Sequence, residues 1–107
     1  MSSVLTRIPV VGGLAYRERL RALPSSFSAT LAAEPDNRYF RHAIAVLVDG
    51  AKVGYVAPEV AVDYFDAVKS AESPLSCRAR RALPTDHDMS GVELLLDFSG
   101  LPLGPVA

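Results

Sequence analysis

The sequence predicts an α+β, mainly β domain: six short antiparallel strands forming a small barrel or half-barrel, one main helix over about 58–70, and a short helical turn over about 16–23. Two observations carry this. Short apolar–polar alternations recur along the chain, the two-residue period of a half-buried strand. Between them stand Pro, Gly, Asp and Asn at hairpin spacing, and only one stretch is clearly helical.

The first strand is read at Ile8-Pro9-Val10-Val11, with Pro9 near its start, where a missing N–H does least harm, and Gly12-Gly13 ending it. Tyr16, Leu20 and Leu23 share one side of a helical turn that stops before Pro24. Phe27, Ala29, Leu31 and Ala33 alternate with small residues as a second strand, and Pro35-Asp36-Asn37 turns the chain. Ile44, Val46 and Val48 share one face of a third strand over 43–48. Asp49-Gly50 is a strong hairpin signal, leading into a fourth strand over 52–56 in which Gly54 predicts a bulge or a close backbone approach. Pro58 opens the helix, and Val60, Ala61, Tyr64, Phe65 and Val68 follow at helical spacing. A fifth strand over 75–83 sets Cys77, Ala79 and Arg81 against Ser76, Arg78 and Arg80. After a polar turn at 84–90 comes a very apolar sixth strand over 92–98, whose uncovered edge would invite pairing of two copies.

At 107 residues the chain is expected to be one domain, 1–107, with short frayed ends (the second at about 100–107). No apolar run reaches the roughly 18 residues of a membrane span, and the N-terminus lacks the layout of a secretory signal, so a cytoplasmic protein without a membrane partner is expected. The single cysteine, Cys77, permits no internal disulfide. With His42 and His87 far apart, no structural metal site is spaced in the sequence, and no cofactor is expected.

A net charge of −1 argues against a nonspecific DNA coater held by phosphate neutralisation alone. The cations are nevertheless nine Arg and two Lys, and the arginines cluster at 17, 19 and 21, at 38 and 41, and at 78, 80 and 81. Arginine offers a planar fork to phosphates and a flat face for stacking. The alternative is that these are ordinary solvated charges.

The run 34–61, E-P-D-N-R-Y-F-R-H-A-I-A-V-L-V-D-G-A-K-V-G-Y-V-A-P-E-V-A, joins a turn, two strands and a helix start. Val10-Val11-Gly12, 34–46 and 54–61 match three ordered markers: V-V-G, E-P-x-N-P-Y-D-x-N-A-I/V-x-V and G-Y-V/L-P-R-E-x-A. On these residues the chain, over about 8–70, resembles the HIRAN domain, a small module of helicase-like ATPases and of free-standing bacterial proteins. The resemblance implies an OB-like barrel that grips single-stranded DNA at a 3′ end, in replication or repair, beside a helicase or nuclease partner.

The site residues it implies are Tyr16, Arg17, Asn37, Arg38, Tyr39, Arg41, His42 and Tyr55. Tyr16 stands near where the family places base-stacking aromatics, and it could equally anchor its turn. Asn37 and Tyr39 match motif residues that line the family's DNA pocket. They could also shape the turn and cover the barrel end. Tyr55 falls where the family carries Tyr or His, and could be packing. Phe40 replaces the motif's Asp, the acceptor for a terminal 3′-hydroxyl. Arg38 and His42 replace a Pro and an Asn, and Ala57-Pro58 replaces Pro-Arg.

Aromatics and arginines without that hydroxyl acceptor describe a single-strand binder with weaker preference for ends. The other reading is a protein-interaction module that kept the fold and lost recognition of DNA ends. As an oligomer, a monomer or weak homodimer is expected. No catalytic residue is assigned. Asp86-His87-Asp88 lies in a polar turn, and no P-loop, G-x-S-x-G or metal-ligand helix is present in the sequence.

Overall fold

The computed structural model describes residues 7–12, 16–82, 94–99 and 101, with the backbone alone at Arg17 and Leu20. Its elements in chain order are β1 (Ile8–Val11), α1 (Arg17–Arg21), β2 (Ser26–Glu34), β3 (Ala43–Val48), β4 (Ala51–Val56), α2 (Pro58–Ser70), β5 (Leu75–Arg81) and β6 (Leu94–Asp97). Gly13, Asp86-His87-Asp88 and the expected strand ends at 82–83 and 92–93 fall wholly or mostly outside the described residues or outside these elements.

The strands close into an antiparallel barrel in the order β1-β4-β3-β2-β5-β6, as the alternating pattern requires. The run β2–β3–β4–α2–β5–β6 follows the order of an OB barrel. β1 is the addition: it lies between β4 and β6 and pairs antiparallel with both.

Alternation decides which side chains enter the core. Ala29 and Leu31 of β2, Ile44, Val46 and Val48 of β3, and Cys77 and Ala79 of β5 point inward with Ile8, Val10, Leu94 and Leu96. Burying aliphatic side chains of this size contributes roughly 1.5–3 kcal/mol each. Arg81 continues the inward series on β5. Its Nε and Nη2 donate to the carbonyl of Leu23 at 3.2 and 3.1 Å, tying that end of the barrel to the segment after α1.

β6 corrects the expectation of an uncovered apolar edge. It pairs with β1 on one side and β5 on the other, and Leu94, Leu95 and Leu96 are at most 1% exposed. With a partner strand on each side, β6 is not a free edge of the sheet. Leu101, in the segment expected to fray, packs against the core, and its N–H donates to the Phe98 carbonyl at 3.0 Å.

Asp49 and Gly50 both have positive φ, 52° and 81°, the conformation of a tight two-residue hairpin turn. α2 starts at Pro58 with no side-chain cap; the Ala57 carbonyl receives the N–H groups of Val60 and Ala61, each at 2.9 Å. Ala61, Phe65 and Val68 form its buried stripe. Among the described residues no helix is long and apolar enough to cross a membrane.

Candidate nucleic-acid interface

The outer face of β2, β3 and β4 carries the polar chemistry, and a bulge builds it. Lys52 and Tyr55 are three residues apart, so an uninterrupted strand would send them to opposite faces. The register jumps instead: Val46 faces Gly54, while Leu47 faces Lys52, leaving Val53 as the extra residue. Parity is thereby shifted by one. Val53 and Val56 both enter the core, and Lys52 and Tyr55 both emerge on the outer face.

Glu34, the last residue of β2, reaches across to meet them. In the register, Ala32, Ala45 and Tyr55 form one outward row, and Glu34 faces Ala43 in the next. Alanines at 43 and 45 leave room for a side chain from β2 to cross β3. The Lys52 ammonium lies 2.6 Å from Glu34 Oε2 and donates to the Tyr55 hydroxyl at 2.8 Å. That hydroxyl in turn donates to Glu34 Oε1 at 2.9 Å, where Asn37 Nδ2 also donates at 3.1 Å. Desolvation raises the Glu34 carboxyl, but the bonds from Lys52, Asn37 and Tyr55 together outweigh it and hold the group below its ordinary value. The bond to Glu34, and then that to Tyr55, hold the Lys52 ammonium well above its ordinary range.

The 35–42 loop leaves from this network. The Asn37 N–H donates to the Glu34 carbonyl at 3.0 Å, closing the Pro35-Asp36 turn. Asn37 Oδ1 then accepts the N–H groups of Tyr39 and Phe40, at 2.9 and 3.0 Å. Both polar ends of Asn37 are thus engaged within the protein. Phe40 turns inward against the core, while Tyr39 turns out and is 89% exposed. Arg38 and Arg41 flank it, also exposed, and among the described residues no hydrogen bond or ion pair engages the side chains of these three.

The α1 side extends the patch. Arg19 Nη1 donates to the Lys52 carbonyl at 2.7 Å, and its guanidinium lies 5.5 Å from the centre of the Tyr16 ring, within cation–π range. At Gly12, φ is 75°, and a Cβ there would stand 3.7 Å from Tyr55 Cδ1. Gly12 both permits the turn out of β1 and places bare backbone beside the Tyr55 ring.

Of the residues implied by the resemblance, Asn37 and Tyr55 join one hydrogen-bonded network, and Arg19 and the Lys52 backbone link Tyr16 to it. Arg38, Tyr39 and Arg41 stand on the adjoining loop, and the side chain of Arg17 lies outside the described residues. His42 goes elsewhere. Its ring is edge-on to Phe40 at 5.7 Å and to Phe65 of α2 at 5.2 Å, a cluster beneath the loop. Phe40 and His42, two of the departures from the motif, are therefore one packing unit. Arg78 and Arg80 lie outward on β5, three strands around the six-strand ring from β4 and so on the opposite wall.

Glu34 and Lys52 were not named as site residues from the sequence, and Arg19 stood there only as one of a cluster of arginines. The Gly54 bulge was legible there, and its consequence for the faces of Lys52 and Tyr55 is the signal that leads to them. Comparison of the chain with protein-family models, with curated proteins and with solved structures finds no match.

Proposed function

We propose that this chain is a non-catalytic module for single-stranded nucleic acid, of the HIRAN type, acting on DNA strands or ends in replication or repair. The observation that carries the reading is Tyr39: an aromatic ring 89% exposed, between two exposed arginines, at the rim of a face that bears Lys52 and Tyr55. An aromatic ring beside cations is the pairing that stacks a base while meeting its phosphate. The location supports it as well. OB barrels take oligonucleotides on their second and third strands and the loop between their first two; the counterparts here are β3, β4 and the 35–42 loop. This support rests on analogy of fold.

Cys77 has no part as a nucleophile in this reading. Desolvation by burial pushes its thiol up to about 12, far from a reactive thiolate. Phe40 favours the second reading, a protein-interaction module. Its ring is committed to the cluster with His42, leaving no carboxylate at the position where the resemblance places the 3′-hydroxyl acceptor.

The test is fluorescence anisotropy with a short single strand ending in a 3′-hydroxyl, the same strand ending in a 3′-phosphate, and a duplex, over a salt series. The expected result is equal binding of both single strands, weaker binding of duplex, and affinity that falls steeply with salt. Tighter binding of the hydroxyl form would show that another acceptor serves in place of the motif's Asp. Absence of binding to every strand at low salt would refute the nucleic-acid reading and favour the interaction module.

A further inference from the structure

We infer that Glu34 is a built-in competitor for the ligand on this patch: its carboxylate stands on Lys52 where a strand phosphate would, and binding proceeds by exchange of that partner. The inference rests on the proposed function and names what governs access to its site. It starts from the two side chains being about equally accessible, Lys52 29% exposed and Glu34 28%, so that solvent and ligand reach the pair from outside. Lys52 has three N–H donors and commits two, to Glu34 and to Tyr55. Glu34 is held from four sides by contrast: its carboxylate by Lys52, Tyr55 and Asn37, and its carbonyl by the Asn37 N–H.

The asymmetry determines what moves. Glu34 is a fixture of the turn, whereas Lys52 has a long flexible stem, and beyond its two hydrogen bonds its ammonium lies 4.8 Å from the centre of the Tyr55 ring. A phosphate arriving beside Tyr55 meets the anion first, and it gains the cation only when Lys52 turns from carboxylate to phosphate. The pair is open to solvent on one side, and a strand already held by Tyr39, Arg38 and Arg41 brings its phosphates to it at high local concentration. A single phosphate lacks that tether and the high effective concentration it confers.

The test compares the wild-type chain, Glu34→Gln and the double variant Glu34→Gln/Lys52→Met, titrated with a fluorescent twelve-residue oligothymidylate between 50 and 300 mM salt. Glutamine keeps an oxygen for Tyr55 and Asn37 but releases Lys52. The expected result is affinity about 2- to 5-fold higher for Glu34→Gln, the release of a surface pair. Its salt slope stays close to that of wild type, because Lys52 meets the strand in both chains, and it falls by about 0.7, one phosphate contact to single-stranded DNA, in the double variant. The gain in affinity disappears in the double variant. A gain that survives without Lys52 would reduce Glu34 to a general repulsive charge and overturn the inference. So would wild-type binding left unchanged by Glu34→Gln. A second readout needs no variant: in the wild-type chain, the carboxyl carbon resonance of Glu34 shifts when the strand is added. A strand that binds without moving that resonance overturns the inference and leaves the proposed function standing. If no strand binds at all, the proposed function fails, and this inference fails with it.

Discussion

Asn37→Ala separates the two roles open to this residue, a contact for ligand and a builder of the loop. Its side chain makes three hydrogen bonds inside the protein: Oδ1 to the N–H groups of Tyr39 and Phe40, and Nδ2 to Glu34. Two neutral bonds contribute about 1 kcal/mol each and the bond to a carboxylate about 1.5 kcal/mol. Water recovers part of this where the loop is exposed, and Tyr39 is the exposed partner. The loss is therefore about 2–3 kcal/mol, or roughly 8–15 °C in Tm for a domain of this size.

The assay is thermal unfolding followed by amide hydrogen exchange. Exchange at Tyr39 and Phe40 is expected to accelerate, while amides of β3 keep protection relative to the lowered global stability. Strand affinity falls as well, because Tyr39 is no longer held in place by its own backbone N–H. The refuting result is a Tm within about 2 °C of wild type together with unchanged exchange at Phe40, since about 0.5 kcal/mol is then the upper bound for all three bonds. Affinity that drops under those conditions would make Asn37 a ligand contact instead.

Tyr39→Ala is expected to weaken single-strand binding by roughly 5- to 150-fold, the range of about 1–3 kcal/mol for one stacked base, with Tm almost unmoved because the ring is solvent-exposed. Anisotropy and a melt on the same sample check both halves; affinity within twofold of wild type would remove the central observation behind the proposed function. Glu34 supplies a pH dependence. Its carboxyl is held below its ordinary value of 4.5, so its contribution is present above pH 4.5 and is lost as pH falls through the lowered value. Urea unfolding of wild type and Glu34→Gln from pH 2 to 7 should show a stability difference that closes only below pH 4.5; closure above that value would contradict the network. Leu96→Ala removes a fully buried side chain from the strand that closes the barrel and should cost about 2–5 kcal/mol, read as a lower urea midpoint.

The barrel was legible because its elements obey local rules. Asp49-Gly50, Pro58 and the even-numbered valines and isoleucine of β3 each state their conformation without reference to distant residues. Closure was not legible to the same degree. The apolar run around 94–96 reads equally as an exposed edge or as a strand buried on both sides, and only the pairing with β1 and β5 decides. The site divides in the same way. Tyr39 and His42 were both named as site residues on the motif match, but His42 is drawn under the loop by Phe40 and Phe65, which come from two different parts of the chain.

The central network depends on a non-local count. Reading β4 alone, parity puts Lys52 and Tyr55 on opposite faces, and Glu34 is two strands away. One inserted residue, Val53, reverses the parity, and two alanines on β3 clear the path between β2 and β4. Tyr55 was named as a site residue, but nothing in the types of Lys52 and Glu34 ties them to it. A bulge moves whole side-chain sets between core and surface, so its location matters more to this face than the identity of any one residue on it. It follows that the face depends on the count in β4: removing Val53 leaves Lys52 two residues from Tyr55, both still outward on a regular strand but with one core side chain lost, whereas inserting a residue between Lys52 and Tyr55 sends them to opposite faces.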